Sequence, residues 1–225
     1  MFPETALVTG ARGGIGRALV AALEAEGAEV RGLDLADGFD VADWDAWQDI
    51  EPAEAVFLNA GVLAAGDGSL ADYRRILGVN VDGVVFGLQA LAPKMRSGSA
   101  FVVTASLAGL IPMASDPLYT LTKHAVVGYA RSQAEVLQPR GIRINLVNPG
   151  IVRTPMTEPA QAELGAAGFP LLEPEGIARA MLAAARSEET GQAWVCQPGR
   201  EPLQFRFPNV PGPRVEGAEG MVPQL

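Results

Sequence analysis

The sequence is poor in cysteine and in basic residues, and both shortages limit what the protein can be. Its single cysteine, Cys196, excludes an intrachain disulfide and a thiol cluster for a metal, and it favours a reducing, cytoplasmic compartment. The 17 basic residues against 26 acidic ones give a net charge of −9. Nucleic acids and anionic membranes both bind basic surface, so we expect neither of them as a partner.

Long hydrophobic runs are also missing. No uninterrupted apolar run reaches the length of a bilayer span, although 48% of the residues are apolar. The first apolar run begins within a few residues of Met1, so we expect no signal peptide. A chain of 225 residues can bury a sizeable core in one domain. These features predict a soluble protein without a metal site.

Short apolar runs alternate with amphipathic segments along most of the chain. The runs predict strands at Ala6–Val8, Val30–Leu35 with Asp34 at its end, Ala55–Leu58, Ala100–Thr104, Ile142–Val147 and Ala193–Cys196. The amphipathic segments predict helices from Ile15 to just before Gly27, and at Leu70–Met95, Pro117–Gln138 and Glu173–Arg186, with an abbreviated helix around Trp44 and Trp47. This alternation predicts an α/β fold, with a single Rossmann-type, doubly wound parallel sheet in a three-layer αβα domain.

The last third of the chain is less regular. We expect one domain over residues 1–199, in which residues 153–172 form a flexible loop with about one helical turn over the substrate. Prolines then recur, and their density predicts an extended arm over residues 200–225, either disordered or laid on a neighbouring subunit.

A glycine-rich turn follows the first strand. Gly10, Gly14 and Gly16 would let the backbone turn tightly and approach a pyrophosphate, although a plain strand-to-helix turn uses glycine similarly. Asp34 could accept hydrogen bonds from both ribose hydroxyls and repel a 2′-phosphate, which favours NAD over NADP. Two alternatives stay open, because Asp34 could simply cap a strand end and Arg12 could offset the repulsion.

Tyr119 and Lys123 are four residues apart and therefore share one face of a helix. Asp116 can cap this helix, and Pro117 suits its first turn. An ammonium beside a phenol favours the phenolate, which would make the tyrosine an acid/base near neutral pH. Lowering a tyrosine pKa from ~10 to neutrality requires about 4 kcal/mol, so a cationic cofactor would have to help. Two side chains that are merely solvated neighbours on a helix would show the same spacing, so the pair alone is weak evidence for a catalytic site.

Several motifs occur together in a fixed order. They are Thr9-Gly-x-x-x-Gly-x-Gly16, Asn59-Ala60-Gly61, Asn80, Ser106, Tyr119-x-x-x-Lys123 and Asn148-Pro149-Gly150. In this combination the chain resembles the short-chain dehydrogenase/reductase family from about Thr5 to Thr154, and more faintly through Cys196. The resemblance implies an enzyme, an NAD-dependent oxidoreductase that interconverts a secondary alcohol and a ketone by hydride transfer.

The resemblance also implies roles for single residues. Tyr119 is the acid/base, Ser106 hydrogen-bonds the substrate oxygen, Lys123 lowers the tyrosine pKa and holds the nicotinamide ribose, and Asn80 supports a water that relays protons. Asp40 and Val41 match positions that hold the adenine. The implied cofactor-binding positions are Gly10, Arg12, Gly14, Ile15, Gly16, Asp34, Asp40, Val41, Asn59, Ala60, Gly61, Tyr119, Lys123, Pro149, Gly150, Val152 and Thr154.

The substrate is expected to be a small, apolar or weakly polar alcohol or ketone. Apolar residues dominate the segments that would cover it, and Arg153 is the one obvious cation there. The alternative is a catalytically idle NAD-binding sensor or scaffold, whose usual sign would be the loss of Tyr119, Lys123 or Ser106. His124 follows the lysine and points off its face, so we interpret it as a helix contact.

The chain also departs from the family pattern. Leu58 replaces a common asparagine, and the segment between Asp40 and Asn59 is short, which predicts a vestigial helix beside the adenine site. Gln197-Pro198-Gly199 replaces an aspartate-glycine-glycine near which family tetramers often pack. We expect a homodimer or homotetramer, and a dimer could form through the helices that contain Asn80 and Tyr119.

Overall fold

The computed structural model describes residues 3–209, 211–215 and 217. In this part of the chain the strands are β1 (Thr5–Thr9), β2 (Glu29–Leu33), β3 (Ala55–Leu58), β4 (Ala100–Thr104), β5 (Arg143–Pro149), β6 (Ala193–Cys196) and β7 (Leu203–Gln204). The α-helices are α1 (Gly14–Ala25), α2 (Leu70–Leu77), α3 (Gly83–Leu91), α4 (Pro117–Leu137), α5 (Glu158–Ala166) and α6 (Pro174–Arg186). The sheet has the order β2-β1-β3-β4-β5-β6-β7, parallel except for the antiparallel β6–β7 pair.

Alternating side chains of the central strands supply two separate cores. Val56 and Leu58 face one core, which also contains residues of α3 and α4. Ala55 and Phe57 face the other, together with residues of α1 and α6. Because strand side chains alternate between the two faces, each strand contributes to both layers of helices. The predicted three-layer α/β fold is confirmed.

The long helix predicted over Leu70–Met95 is divided. Between α2 and α3, residues Gly78–Asp82 form a π-helical turn that contains Asn80, and a 3₁₀ turn follows at Ala92–Lys94. By length and composition alone, the stretch Leu70–Lys94 is apolar enough to cross a membrane. Its inner residues pack in the core with the sheet, as the inner face of a helical layer does.

Residues 153–172 hold more regular structure than the expected flexible loop. A 3₁₀ turn at Pro155–Thr157 leads directly into the nine-residue helix α5. Pro155 and Pro159 each lie in the first turn of their helix, where the missing N–H has no intrahelical partner anyway. The expectation of about one helical turn was therefore wrong, because these prolines begin helices and do not interrupt them.

The end of the described chain folds back onto the domain. β7 pairs with β6, although the proline density predicted no regular element after residue 200. Phe205 and Phe207 pack on the core, and the guanidinium carbon of Arg131 in α4 lies 3.6 Å from the centre of the Phe207 ring. Residues 210, 216 and 218–225 of the predicted arm lie outside the described residues.

Between Asp40 and the start of β3 at Ala55, the chain contains only a 3₁₀ turn, Asp45–Trp47, in place of the abbreviated helix. Trp47 anchors it. The indole is fully buried, donates a hydrogen bond of 3.0 Å from Nε1 to the Val41 carbonyl, and meets Phe39 edge to face. Trp44 is 39% exposed, so the two tryptophans differ in how much they bury.

We expect Trp47→Ala to lower the free energy of unfolding by about 3–5 kcal/mol, because it removes a fully buried aromatic and leaves a cavity. Trp44→Ala is the matched control and should cost about 1 kcal/mol. Urea denaturation of both variants measures the difference. Equal losses would contradict the anchoring role of Trp47.

Candidate active site

The predicted site residues follow the carboxyl ends of the parallel strands. Gly10 follows β1, Asp34 follows β2, Asn59 follows β3 and Ser106 follows β4, while Pro149 ends β5 and Gly150 follows it. Since parallel strands end at one edge of the sheet, residues from distant parts of the sequence meet there. This edge is where open α/β sheets bind ligands.

Helix α4 brings Tyr119 and Lys123 to the same edge. Its first turn is fixed as predicted, with Pro117 at the start and the Asp116 side chain accepting from the Tyr119 N–H at 2.8 Å. The other Asp116 oxygen accepts from the Ala64 N–H at 3.0 Å, which ties the helix start to the loop after β3. Asp116 therefore sets the position of the tyrosine relative to the loop after β3.

Lys123 is almost completely buried, with 4% of its surface exposed. Its Nζ donates to the Thr104 carbonyl at 2.9 Å and lies 5.5 Å from the centre of the Tyr119 ring. Removal of the ammonium from water lowers the pKa of Lys123 from its ordinary 10.5 to about 8. The lysine is thus held close to a neutral-alkaline titration range beside the phenol.

The pKa of Tyr119 is raised, and burial of the phenol is the main cause. The Ser106 hydroxyl acts in the opposite direction and Asp116 adds to the rise. The expected depression of the tyrosine pKa by Lys123 is therefore not present in the chain alone. Further positive charge beside the phenol would be needed to reverse the direction.

Asn80 joins the loop after β3 to α4. Its Oδ1 accepts from the Val62 N–H at 2.8 Å, and its Nδ2 donates to the Val62 carbonyl and to Thr122 Oγ1 at 2.9 and 3.0 Å. The Thr122 hydroxyl in turn donates to the Tyr119 carbonyl at 2.8 Å. The Asn80 amide group is fully engaged in these hydrogen bonds. A water at this position would therefore have to bind to the main chain of Asn80.

The glycine-rich turn has the close packing that a dinucleotide cradle requires. A Cβ at Gly16 would lie 2.0 Å from the Gly10 carbonyl oxygen, and one at Gly14 would lie 2.6 Å from the Thr154 methyl group. No side chain caps the start of α1, so its first N–H groups, including that of Ile15, face the turn without a side-chain acceptor. These residues fit a pyrophosphate at the helix start.

Asp34 lies immediately after β2 and bridges two backbone segments. Its Oδ2 accepts from the Arg12 N–H at 2.9 Å, and its Oδ1 accepts from the Ala36 N–H at 3.0 Å. The carboxylate is thus both the cap of a 3₁₀ turn and a fixed acceptor at the strand end, so the two interpretations of Asp34 are compatible. A carboxylate oxygen has a second lone pair left for a ribose hydroxyl.

The remaining predicted cofactor positions divide into those committed to the fold and those at the rim. The Asn59 amide donates to the Thr9 carbonyl at 3.1 Å, and the backbone N–H groups of Asn59 and Ala60 both donate to Thr9 Oγ1. Val41 is buried in the core. Pro149 and Val152 are buried as well, whereas Asp40, Gly61, Gly150 and Thr154 are partly or fully exposed and lie at the rim.

Three further residues lie in surroundings that the sequence alone did not define. Asn148 is fully buried, and neither of its amide atoms has a hydrogen-bond partner among the described residues. His124 is exposed, with Nδ1 3.0 Å from the Thr120 carbonyl oxygen, as expected of a helix contact. Cys196 is buried, and burial raises the pKa of its thiol to about 11.

Sequence reasoning missed the groups that hold the site together. Thr104 accepts from Lys123 through its carbonyl, and its hydroxyl donates to Asn59 Oδ1 at 3.0 Å. The Arg12 guanidinium forms a two-point ion pair with Asp37. A threonine at a strand end and an acidic residue in a turn are too common to be noticed without the register of the strands.

Comparison with known proteins finds relatives over most of the chain. Residues 45–195 match the family model described as enoyl-(acyl carrier protein) reductase. A 3-alpha-(or 20-beta)-hydroxysteroid dehydrogenase of Mycobacterium tuberculosis is 33% identical over 188 residues, covering 70% of this chain and 72% of that protein. The 15-hydroxyprostaglandin dehydrogenase (NAD(+)) of Rattus norvegicus is 29% identical over 194 residues, covering 71% and 72%.

A solved structure matches at the level of the fold as well. It is a short chain dehydrogenase from Burkholderia cenocepacia J2315 in complex with NADP. The TM-score is 0.74 at 25% identity, and the match covers 84% of this chain and 94% of that one.

We expect Lys123→Met to stabilise the fold at pH 7. A folded-state pKa of about 8, below the ordinary 10.5, means that protonated Lys123 costs about 3 kcal/mol at pH values below 8. This cost disappears as the pH rises from about 8 to 10.5. After loss of the charge-assisted hydrogen bond to Thr104, worth about 2 kcal/mol, a net gain of about 1 kcal/mol remains at pH 7.

Urea denaturation at pH 7 and pH 10 measures this gain, which should shrink at the higher pH. Lys94→Met, at an exposed lysine, is the control and should bring no gain at either pH. A Lys123→Met protein that is less stable than the parent at pH 7 would contradict the cost assigned to the buried ammonium.

Proposed function

Because the chain belongs to the short-chain dehydrogenase/reductase family, we propose that it is an NAD-dependent oxidoreductase that interconverts a secondary alcohol and a ketone. Its membership makes it an oxidoreductase; the choice of NAD, the class of substrate and the roles of single residues are our proposal. The observation that supports these roles most directly is the meeting of Tyr119, Ser106 and the buried Lys123 at one corner of the sheet edge.

In the proposed mechanism, Tyr119 exchanges a proton with the substrate oxygen. During oxidation the tyrosine oxygen takes the alcohol proton, and during reduction its hydroxyl returns it. The Ser106 hydroxyl donates a hydrogen bond to the same substrate oxygen and stabilises the charge that develops there. NAD, when bound, supplies the hydride acceptor and a positively charged ring. The protein's own task is to hold the reacting atoms in line.

Lys123 acts on the tyrosine through charge. Its ammonium is fixed by the Thr104 carbonyl, so its field on the phenol is constant and is weakly screened in the buried corner. A pKa of about 8 also lets Lys123 pass a proton onward near neutral pH. The Asn80 main chain is the proposed support for the water that receives it, since the Asn80 side chain is already bonded.

The proposed substrate is an apolar or weakly polar alcohol. The segments that would cover it expose large apolar side chains, with Ile111 56%, Met156 41% and Phe169 45% exposed. Arg153, the cation of this region, is paired with Glu173 at 3.0 Å and so offers little to an anionic substrate. The hydroxysteroid and hydroxyprostaglandin named for the two relatives are compatible with such a surface.

The assembly and the location follow as further parts of the proposal. We propose a cytoplasmic homo-oligomer with one catalytic domain over residues 1–199. Leu121 and Val136 are 48% and 63% exposed on the outer side of α4, which supports a dimer contact through this helix.

Tyr119→Phe should reduce turnover by about 10²–10⁴-fold, because the group that exchanges the proton is removed. Turnover is followed as absorbance of reduced cofactor with NAD and a panel of secondary alcohols. NAD affinity, measured by calorimetry, should stay within about threefold. Tyr73→Phe on α2 is the control and should leave turnover unchanged. Retained turnover in Tyr119→Phe would refute the mechanism, and NAD binding without any turnover in the parent would favour an idle sensor.

Asp34→Ala should weaken NAD binding by about 10- to 100-fold, since a charged acceptor for the ribose hydroxyls is lost. NADP should lose much less, because a carboxylate that repels its 2′-phosphate is removed at the same time. Calorimetry with both cofactors gives the ratio. Asp45→Ala, which removes an exposed carboxylate from the next 3₁₀ turn, is the control. An unchanged ratio would show that Asp34 does not select the cofactor.

A further inference from the structure

The charged groups around Asp34 include one pair that the proposed mechanism does not use. Arg12 is the only basic residue of the turn Thr9–Gly16. Its Nε and Nη2 donate to the two carboxylate oxygens of Asp37, each at 2.8 Å. Both side chains are partly exposed, at 65% and 44%. The pair therefore lies at the rim of the proposed adenosine site and not in the core.

We propose that Asp37 is a positioning residue that sets the choice of cofactor by occupying the guanidinium of Arg12. This inference rests on the proposed function and assigns a residue to its cofactor preference. Arginine is the residue best shaped to bind a phosphate with two parallel hydrogen bonds. In this chain the Nε–Nη2 edge of the guanidinium is taken by the Asp37 carboxylate, so a 2′-phosphate would have to displace Asp37 before it could use that edge.

The local charges act in the same direction. Asp34 and Asp37 contribute two negative charges and Arg12 one positive charge, so the rim is negative overall. The ion pair raises the pKa of Arg12 and lowers that of Asp37, so both members of the pair remain charged at neutral pH. A phosphate that displaced Asp37 would meet two unpaired carboxylates. A ribose with free hydroxyls would instead find carboxylate oxygens, which can accept hydrogen bonds from those hydroxyls.

The contacts that would serve NAD do not depend on the Asp37 side chain. The Arg12 backbone N–H, not its guanidinium, donates to Asp34 Oδ2. The 3₁₀ turn is closed by the Asp37 backbone N–H, which donates to the Asp34 carbonyl at 3.0 Å. Asp37→Asn should therefore keep the turn and the Asp34 acceptor while it weakens the hold on Arg12.

The test is a comparison of dissociation constants for NADH and NADPH, measured by calorimetry on the full chain. In Asp37→Asn we expect NADPH to bind about tenfold more tightly and NADH to change less than about threefold. In an Arg12→Gln background, the same substitution should improve NADPH binding by less than about threefold, because the freed guanidinium is missing. Asp37→Glu, which can still pair with Arg12, should keep the parental ratio.

Asp45→Asn controls for loss of one surface charge and should leave the ratio unchanged. The proposal is overturned if Asp37→Asn does not tighten NADPH, if the gain persists in the Arg12→Gln background, or if Asp45→Asn gives the same gain. A parent chain that binds neither NADH nor NADPH would overturn this inference together with the cofactor part of the proposed function. NADH binding by the parent with an unchanged ratio in Asp37→Asn would overturn this inference alone.

Discussion

The arrangement of the candidate site depends on the burial of one ammonium group. Lys123 can remain 4% exposed only because the Thr104 carbonyl at the end of β4 accepts from it, and the lowered pKa of about 8 records what this burial costs. The bond fixes helix α4 against β4, and Asp116 fixes the start of the same helix against the loop after β3. The distance between phenol and ammonium is thereby determined by two strands.

The central elements could be predicted because their signals are local. An apolar run, a glycine turn and a helical period all fall within about thirty residues, and so does the cap formed by Asp116 and Pro117. The prediction of a flexible loop over residues 153–172 failed for α5, because Pro155 and Pro159 each suit a first helical turn. The strand β7 was missed because a two-residue pairing leaves almost no periodic signal.

The site was predictable to the extent that strand ends mark it. Ser106 and Asn59 could be placed at the sheet edge from the order of the strands alone. The Arg12–Asp37 pair and the Thr122–Asn80 contact could not, since each joins residues at least 25 positions apart whose meeting depends on packing. The raised pKa of Tyr119 also needed the structure, because burial outweighs the Ser106 hydroxyl there.

The shortened segment between Asp40 and Asn59 leaves β2 as an edge strand in the sheet of the described residues, with mostly exposed side chains. The adenosine half of a dinucleotide would then rest on a margin that is open to solvent on one flank and held by two short turns. A binding site this exposed favours rapid release of the dinucleotide. We therefore expect the dinucleotide to behave as a co-substrate that is exchanged in each catalytic cycle, not as a permanently retained prosthetic group.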